Sequence, residues 1–445
     1  MSFAGPEPVS NNPLRLVAQD IRSERDGRAA VPLPPGETGW SLARVRRFET
    51  EPLPMLLELY ERYGPVFSMQ FLWSTSVFAL GPEANHHILV SNAQNFSWRQ
   101  GFLRDLMPLL GDGLLTIDGD FHRQSRKLML PAFHREQIAA ATATIDDEAT
   151  RAIDALRPGQ HLDLYHWTRE LALRIAMRAL FGLRAEHAPQ AARDFEQALG
   201  FYARSFAAKM IRGPRTPFAR MQAARRRLDV VIYAEIHRRR AAGERGADIL
   251  SLLLDATDEH GQGLSDQHVR DEVMTLLFAG HDTTTSTVSF LFYELARSPE
   301  HRDADRALLL EETLRLYPPA WIGPRRSIAP FEVCGVRVPG GIPVNYVSWA
   351  SHRLPDVWDE PERFDPQRFA PGRREQIPRG AYVPFGGGSR TCIGMRFAQA
   401  EIDVIAQRLL ERFALELDPG YVLRFHQMPT IGPKDGMPMT ARARA

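Results

Sequence analysis

The sequence predicts a mostly helical chain with a small β-region, organised as one domain over residues 1–445. Apolar residues recur at i, i+3 and i+4 through most of the middle of the chain, which is the signature of helices buried on one face. Runs of β character occur in only two patches, one before residue 81 and one after residue 330, so the sheet has to be assembled from both ends of the chain. Length alone favours two or three domains. The chemistry-bearing motifs argue against that division, because they are scattered over most of the chain and have to converge on one site.

Residues 1–40 read as an irregular lead-in that closes with Val31-Pro-Leu-Pro-Pro-Gly36. The stretch Gly64–Leu72 followed by Ser76–Leu80 reads as a hairpin. Helical periodicity then places helices near 136–156, 164–182, 190–209, 219–242 and 266–297. The Arg-rich stretch from Arg225-Arg-Arg227 to Arg238-Arg-Arg240 falls in the fourth and reads as a solvated helix face. The fifth, from about Asp266 to Arg297, is long enough to cross a domain, about 45 Å at the rise of an α-helix. Its middle, Ala279-Gly280-His281-Asp282-Thr283-Thr284-Thr285, is poor helix interior. Threonine hydroxyls can bond back to a carbonyl one turn earlier and loosen the ladder. Two readings stand here: a local bulge that opens a groove beside an acid and a hydroxyl, or a packing notch against another helix. Glu312-Thr-Leu-Arg315 puts an acid and a base on one helix face, and Tyr317-Pro-Pro319 ends that helix. Phe331–Val338, then Pro339-Gly-Gly341 and Ile342–Val347, form the second β patch.

The composition, 44% hydrophobic and 24% charged with net charge +1, is that of an ordinary globular protein, and nothing in it points to nucleic acid or to a charged membrane surface. Two cysteines, Cys334 and Cys392, exclude a disulfide scaffold and fit a reducing compartment, so a cytoplasmic protein is expected. No apolar run reaches the length of a membrane anchor or the core of a signal peptide.

The run Phe385-Gly-Gly-Gly-Ser-Arg-Thr-Cys392-Ile-Gly394 carries the chemistry. A lone cysteine near a helix is ordinarily a small buried hydrophobe. Here a Gly-rich loop meets a helix start, which allows close backbone approach and brings amide groups and Arg390 to hold the sulfur as an anion. A buried thiolate on haem iron is the chemistry this arrangement fits. Phe385, Gly388, Arg390, Cys392 and Gly394 match, position for position, the haem loop of cytochrome P450s, and the sequence resembles that family over nearly its whole length.

The resemblance implies the cytochrome P450 fold, a long central helix crossing a buried haem b whose iron is ligated by Cys392. It assigns Thr283 to hydrogen-bond the oxygen ligand or its water, and Asp282 to relay protons from solvent. Ala279 is placed over the haem. His122 and Arg126, one turn apart on a helix, Arg325, next to Arg326, and Arg390 of the Cys loop are matched to the propionate-binding positions. Glu312, Arg315 and the Arg368 of Pro366-Gln-Arg-Phe369 are matched to a structural network behind the thiolate loop. Phe102, Leu103, Ala320, Trp321, Ile322, Thr430 and Ile431 are placed by position around a lipophilic substrate, though Trp321 and Phe102 read equally well as core.

The implied activity is that of a monooxygenase: O2 and two electrons, ultimately from NAD(P)H, used to hydroxylate or epoxidise a fatty acid, terpenoid, steroid or aromatic. No flavin or iron–sulfur module follows the haem loop, so a separate ferredoxin or flavodoxin with its reductase is the expected partner, docking on basic residues such as Arg123, Lys127 and Arg396. The alternatives are a peroxide-using relative, which the Asp282–Thr283 pair disfavours, and a non-catalytic haem-thiolate sensor. One departure stands out: between Ser298 and Glu312 the chain is shorter than in most relatives, whether through truncated helices or an omitted stretch.

Overall fold

The computed structural model describes residues 6, 9–10, 12–183, 188–204, 206–243, 246, 248–257 and 261–444. Its helices include α1 (Pro13–Ala30), α2 (Leu42–Thr50), α3 (Pro52–Tyr63), α4 (Gly119–Met129), α5 (Arg135–Asp154), α6 (Leu164–Phe181), α7 (Pro189–Leu199), α8 (Phe206–Met210), α9 (Pro217–Ala242), α10 (Asp266–Arg297), α11 (Arg306–Leu316) and α12 (Met395–Arg412). The main sheet contains β1 (Gly36–Glu37), β2 (Val66–Phe71), β3 (Ser74–Ala79), β4 (Phe96–Ser97), β5 (Gly323–Ser327) and β6 (Pro343–Tyr346) in the order β1-β2-β3-β6-β5-β4. As expected, both ends of the chain build it: β2 and β3 form the N-terminal hairpin, and β6 lies parallel to β3, with Val344 opposite Val77.

The expected irregular lead-in is largely helical instead. Asn12 caps α1 by accepting from the amides of Leu14 and Arg15, with Pro13 at the first position, where its missing N–H costs nothing. The buried side chains of α1 are Asp20 and Glu24. Asp20 pairs with Arg104 (Oδ1–Nη1, 3.0 Å) and with Arg326, and Glu24 accepts from the amide and hydroxyl of Thr75. An ion-paired face leaves no apolar period to read, which is why the pattern missed the helix.

The period near 190–209 also divides: α7 stops at Leu199, with Gly200 after it, and α8 begins at Phe206. The Arg-rich stretch of α9 is not simply solvated. Arg239 is buried and reaches Glu235, Asp248 and Ser251, Arg227 pairs with buried Asp194, and Arg225 donates to the Pro108 carbonyl. Long guanidinium stems cover apolar surface while their heads find carboxylates on neighbouring elements.

Helix α10 runs unbroken for 32 residues, so of the two readings of its middle the bulge is not found. Ser265 caps it by accepting from the His268 amide. Its N-terminal half, from Val269 to Leu277, is buried in one apolar cluster with α6, α7 and α9; its C-terminal half, from Val288 to Leu295, is buried in another with α5, α11 and α12. Between these halves lies the polar, small-residue stretch 279–287. A helix so divided is held firmly at both ends and is free to present its middle to a hollow.

Candidate functional site

That hollow is a cavity of about 1260 Å³ bounded by α10, the loop before α12 and the 102–108 region. Cys392 lies deep in the protein, yet its side chain is open to the cavity. Its amide donates to the Phe385 carbonyl (2.9 Å), which closes the loop on itself. Burial pushes the Cys392 thiol up, while the Gly394 amide and the Arg126 charge act in the opposite direction. Phe385 and Gly394 line the cavity. Gly388 does not: at φ +60° its missing Cβ would stand 2.2 Å from the Leu89 carbonyl oxygen, so glycine there serves close packing of the loop on the 87–91 turn. Arg390, expected to hold the sulfur as an anion, donates instead to the Ile117 carbonyl (2.7 Å) and Asp118 (2.8 Å); its guanidinium still borders the cavity.

His122, Arg126 and Arg325 border the same hollow. His122 on α4 is buried, and burial together with the charges of Arg390 and Arg126 pushes its imidazole down to about 3, so it is neutral. Arg126, one turn on, donates to the Thr391 carbonyl (2.7 Å). Arg325 on β5 lies over the Trp98 ring at 3.5 Å, and burial pushes its guanidinium down to about 10. Among the described residues neither Arg126 nor Arg325 has a carboxylate within ion-pairing distance. Buried cations without a counter-charge are costly, so this rim suits a ligand that brings its own carboxylates. With a thiol open to the same cavity, the donor set fits a haem. Arg326 has the opposite orientation and bonds Asp20 and the Gln100 and Gly341 carbonyls, so of the doublet it is Arg325 that faces the cavity.

The middle of α10 contributes Ala279, Gly280, Thr283, Thr284 and Thr287 to the wall. The Thr283 hydroxyl donates to the Ala279 carbonyl (2.6 Å) and the Thr287 hydroxyl to the Thr283 carbonyl, so these side chains lie close to the helix. The groove comes from small residues, not from a break in the helix.

Asp282 takes another direction. It is buried, absent from the cavity wall, and lies 2.7 Å from Arg169 Nη1 and 3.1 Å from His281 Nδ1. Burial alone would raise its carboxyl; His281, Arg169 and His426 outweigh that and hold it below the usual carboxylate value. The expectation of an acid in touch with water is therefore modified. Arg169 in turn binds the half-exposed Glu196 (2.8 Å), so the ion-pair chain that begins at Asp282 ends at a solvent-facing carboxylate.

Sequence reasoning missed Glu401 on α12. It lines the cavity, accepts from the Thr284 hydroxyl (3.0 Å), and burial pushes its carboxyl up to about 8. A heptad-like position on an amphipathic helix gave no hint that this acid faces inward.

Behind the Cys loop, Glu312 and Arg315 on α11 form a bidentate pair with no solvent exposure (2.7 and 2.8 Å). Arg315 also donates to the carbonyls of His352, Pro361 and Arg363, and Arg368 stands 3.5 Å from Glu312. The three expected network residues thus meet. His352, wholly buried, donates from Nδ1 to the Arg315 carbonyl and accepts from the Val383 amide at Nε2, which links this network to the strand of chain that leads into the Cys loop.

Of the expected substrate-facing residues, Phe102, Leu103, Ala279, Ala320, Trp321, Ile322 and Thr430 line the cavity. Ile431 does not. Its side chain is buried in the apolar core and its amide bonds the Pro319 carbonyl. Trp321 serves both roles, since it is buried, borders the cavity, and donates its indole N–H to the Gln427 carbonyl (2.8 Å). Asp105, Tyr202 and Lys209 also line the cavity and were not foreseen, because nothing in their spacing marks them.

Residues 32–307 and 308–432 match the family described as cytochrome P450, and the two matched segments meet in the first turn of α11, just after the short connection from α10. Among curated proteins the chain is similar to cyclooctat-9-en-7-ol 5-monooxygenase of Streptomyces melanosporofaciens, with 34% identity over 414 residues, 86% of this chain and 89% of the relative. It is similar also to cyclooctatin synthase of the same organism, with 32% identity over 376 residues, 77% of this chain and 81% of the relative. Among solved structures it resembles the retinoic acid bound cyanobacterial CYP120A1, with a TM-score of 0.84 and 27% identity over 93% of this chain and 99% of that one.

Proposed function

The chain belongs to the cytochrome P450 family and is a haem-thiolate monooxygenase, and from that premise we propose roles for its residues and a class of substrate. Cys392 Sγ ligates the haem iron, Arg126, Arg325 and His122 hold the propionates, and Arg390 adds positive charge to that edge. The observation that carries this assignment is a deep thiol and two guanidiniums without carboxylate partners bordering one cavity, beneath the small-residue face of α10. When bound, the haem supplies the reductive activation of O2, with two electrons and two protons, so that one oxygen atom enters the substrate and the other leaves as water.

The remaining chemistry belongs to the chain. Gly280 and Ala279 leave the groove open, and the Thr283 hydroxyl, held on the Ala279 carbonyl, can turn into it to hold water or donate a proton. Asp282 is deprotonated in its pair with Arg169 and takes up a proton only on leaving that pair, with Glu196 at the solvent end of the contact. Glu312, Arg315 and Arg368 fix the scaffold behind the Cys loop.

Electrons come from NAD(P)H through a separate ferredoxin or flavodoxin system that docks near Arg123, Lys127 and Arg396. With both cysteines free, we place the enzyme in the reducing cytoplasm. Among the described residues no helix is long and apolar enough to cross a membrane. The substrate is a lipophilic molecule of terpenoid type: Phe102, Leu103, Leu276, Phe278, Trp321 and Ile322 give the cavity an apolar lining, and the two Streptomyces relatives and the retinoic acid complex point to the same chemistry. Turnover of a terpenoid panel under 18O2 with a surrogate ferredoxin chain tests the proposal. It predicts one 18O atom in each product and substrate-dependent NAD(P)H consumption. Product oxygen drawn from water, or no product with any terpenoid, would contradict it.

A further inference from the structure

One part of the cavity wall is polar, and the roles above make no use of it. Tyr202, after α7, is buried to 3% exposure, lines the cavity, and its phenol oxygen has no hydrogen-bond partner. Asp105, in the short 3-10 helix Phe102–Leu106, faces the same hollow with its side chain exposed to the cavity although it lies deep in the protein. No hydrogen bond or ion pair reaches the Asp105 carboxyl among the described residues. Burial raises its carboxyl, with Asp20 acting in the same direction; the charges of Arg104, Lys209 and Arg212 oppose the rise, and Tyr202 is charge-coupled to it as well. Lys209 on α8 lines the cavity between the charges of Asp105 and Glu49. The Cys loop, α10 and α12 contribute nothing to this cluster.

A buried phenol and a buried carboxyl that bond nothing in the protein are costly unless a ligand or water satisfies them. The chemistry of the cluster selects the ligand. A hydrocarbon would strand both groups. A carboxylate could only accept, and it would meet Asp105 as a like charge. A hydroxyl can do both, donating to the Asp105 carboxylate while accepting from the Tyr202 phenol or the Lys209 ammonium.

We propose that Asp105, Tyr202 and Lys209 form a hydroxyl anchor, and that the substrate is a lipophilic skeleton that already carries an alcohol. This rests on the monooxygenase reading of the same cavity and narrows its substrate class. The anchor sets which part of the skeleton extends along the apolar wall toward Thr283, and so which carbon is presented for oxidation. It also places the reaction in a sequence: an earlier step, by hydration of a carbocation or a first hydroxylation, must have installed the alcohol.

The test is equilibrium dialysis of the holoprotein with matched probes on two skeletons, abietadiene, abietadienol and abietic acid, and cedrene and cedrol, with bound probe measured by mass spectrometry. The anchor predicts that, on at least one skeleton, the alcohol binds tenfold or more tightly than the hydrocarbon, and on the abietane set also more tightly than the acid. Tyr202→Phe and Asp105→Leu should each reduce the alcohol preference to threefold or less, with hydrocarbon affinity unchanged or raised because no polar group is then stranded. An alcohol preference below threefold on both skeletons would mean that the cluster keeps its water, and would overturn the proposal, as would a preference that survives in both variants. Tighter binding of abietic acid would replace it with a carboxylate site built on Lys209 and Arg212. Dialysis reads binding alone, so failure of the monooxygenase reading shows separately, as absence of oxygen transfer from O2 by a protein that still binds the alcohol.

Discussion

Glu401 is an acid that its surroundings keep neutral. It is wholly enclosed, its one hydrogen-bond partner among the described residues is the Thr284 hydroxyl, and its carboxyl is pushed from the ordinary 4.5 up to about 8. The folded state therefore holds a proton that the unfolded chain releases near its ordinary value. Between about pH 5 and pH 8 this residue lowers stability as pH rises, by up to roughly 1.4 kcal/mol per pH unit, and above pH 8 the loss is complete. Glu401→Gln keeps the shape and removes the titration. Its stability advantage over wild type should be small at pH 5 and grow to a few kcal/mol by pH 8, read from urea midpoints; parallel pH profiles for the two proteins would show that Glu401 is ionised in the folded state. At this scale the sequence was legible where spacing constrained it. Cys392, Thr283 and Arg325 all reach the cavity. Asp105, Tyr202 and Glu401 were hidden, because facing inward is a property of tertiary placement and leaves no local mark. Asp282 lies between these cases, found by its motif but pointed at Arg169, a partner more than 100 residues away that no local pattern supplies.

The elements explain what keeps the site in shape. Two apolar clusters grip α10 at its ends, and α11 brings Glu312 and Arg315 to a point where the pair and three backbone carbonyls satisfy one another, with Arg368 alongside at 3.5 Å. Buried pairs of this kind add little net stability over an apolar equivalent, yet breaking one strands the partner. Arg315→Leu leaves Glu312 unsolvated, with Arg368 as a distant substitute, and deprives three carbonyls of a donor. It should cost about 3–5 kcal/mol by chemical denaturation, with faster loss of haem as the Cys loop loses its support; a cost below 1 kcal/mol would show that the network is dispensable. Helix periods were readable for α5, α6, α9 and α10, whose apolar residues face a core. Helix α1 was not, because Asp20 and Glu24 hold it by ion pairs and hydrogen bonds. The missing bulge in α10 has a similar origin. Threonines that bond back to carbonyls are compatible with an intact helix when tertiary packing holds it on both sides.

At the scale of the molecule, the mixed helical fold and its two-ended sheet followed from the distribution of helical and β periods, and the comparisons place the whole arrangement in the cytochrome P450 family. The short passage from Arg297 to Arg306, a single turn at Pro299–His301, lies just before the point in the first turn of α11 where the family match divides, and the structure accommodates it by bringing α11 directly beside α10. Of the basic residues proposed for docking, Arg123 is already paired with Asp120, and Arg396 at the start of α12 is exposed. If an acidic electron donor docks there, Arg396→Glu should slow reduction several-fold at low ionic strength and lose most of that effect at high salt; unchanged stopped-flow rates would move the docking site elsewhere.

The central claim is that Cys392 is the thiolate ligand of a haem. The ferrous carbon monoxide spectrum tests it most directly. Wild-type protein should show the red-shifted Soret band of thiolate ligation, and Cys392→Ser, loaded with haem to the same occupancy, should lack it. A wild-type spectrum without that band, or a Cys392→Ser spectrum that retains it, would contradict the assignment.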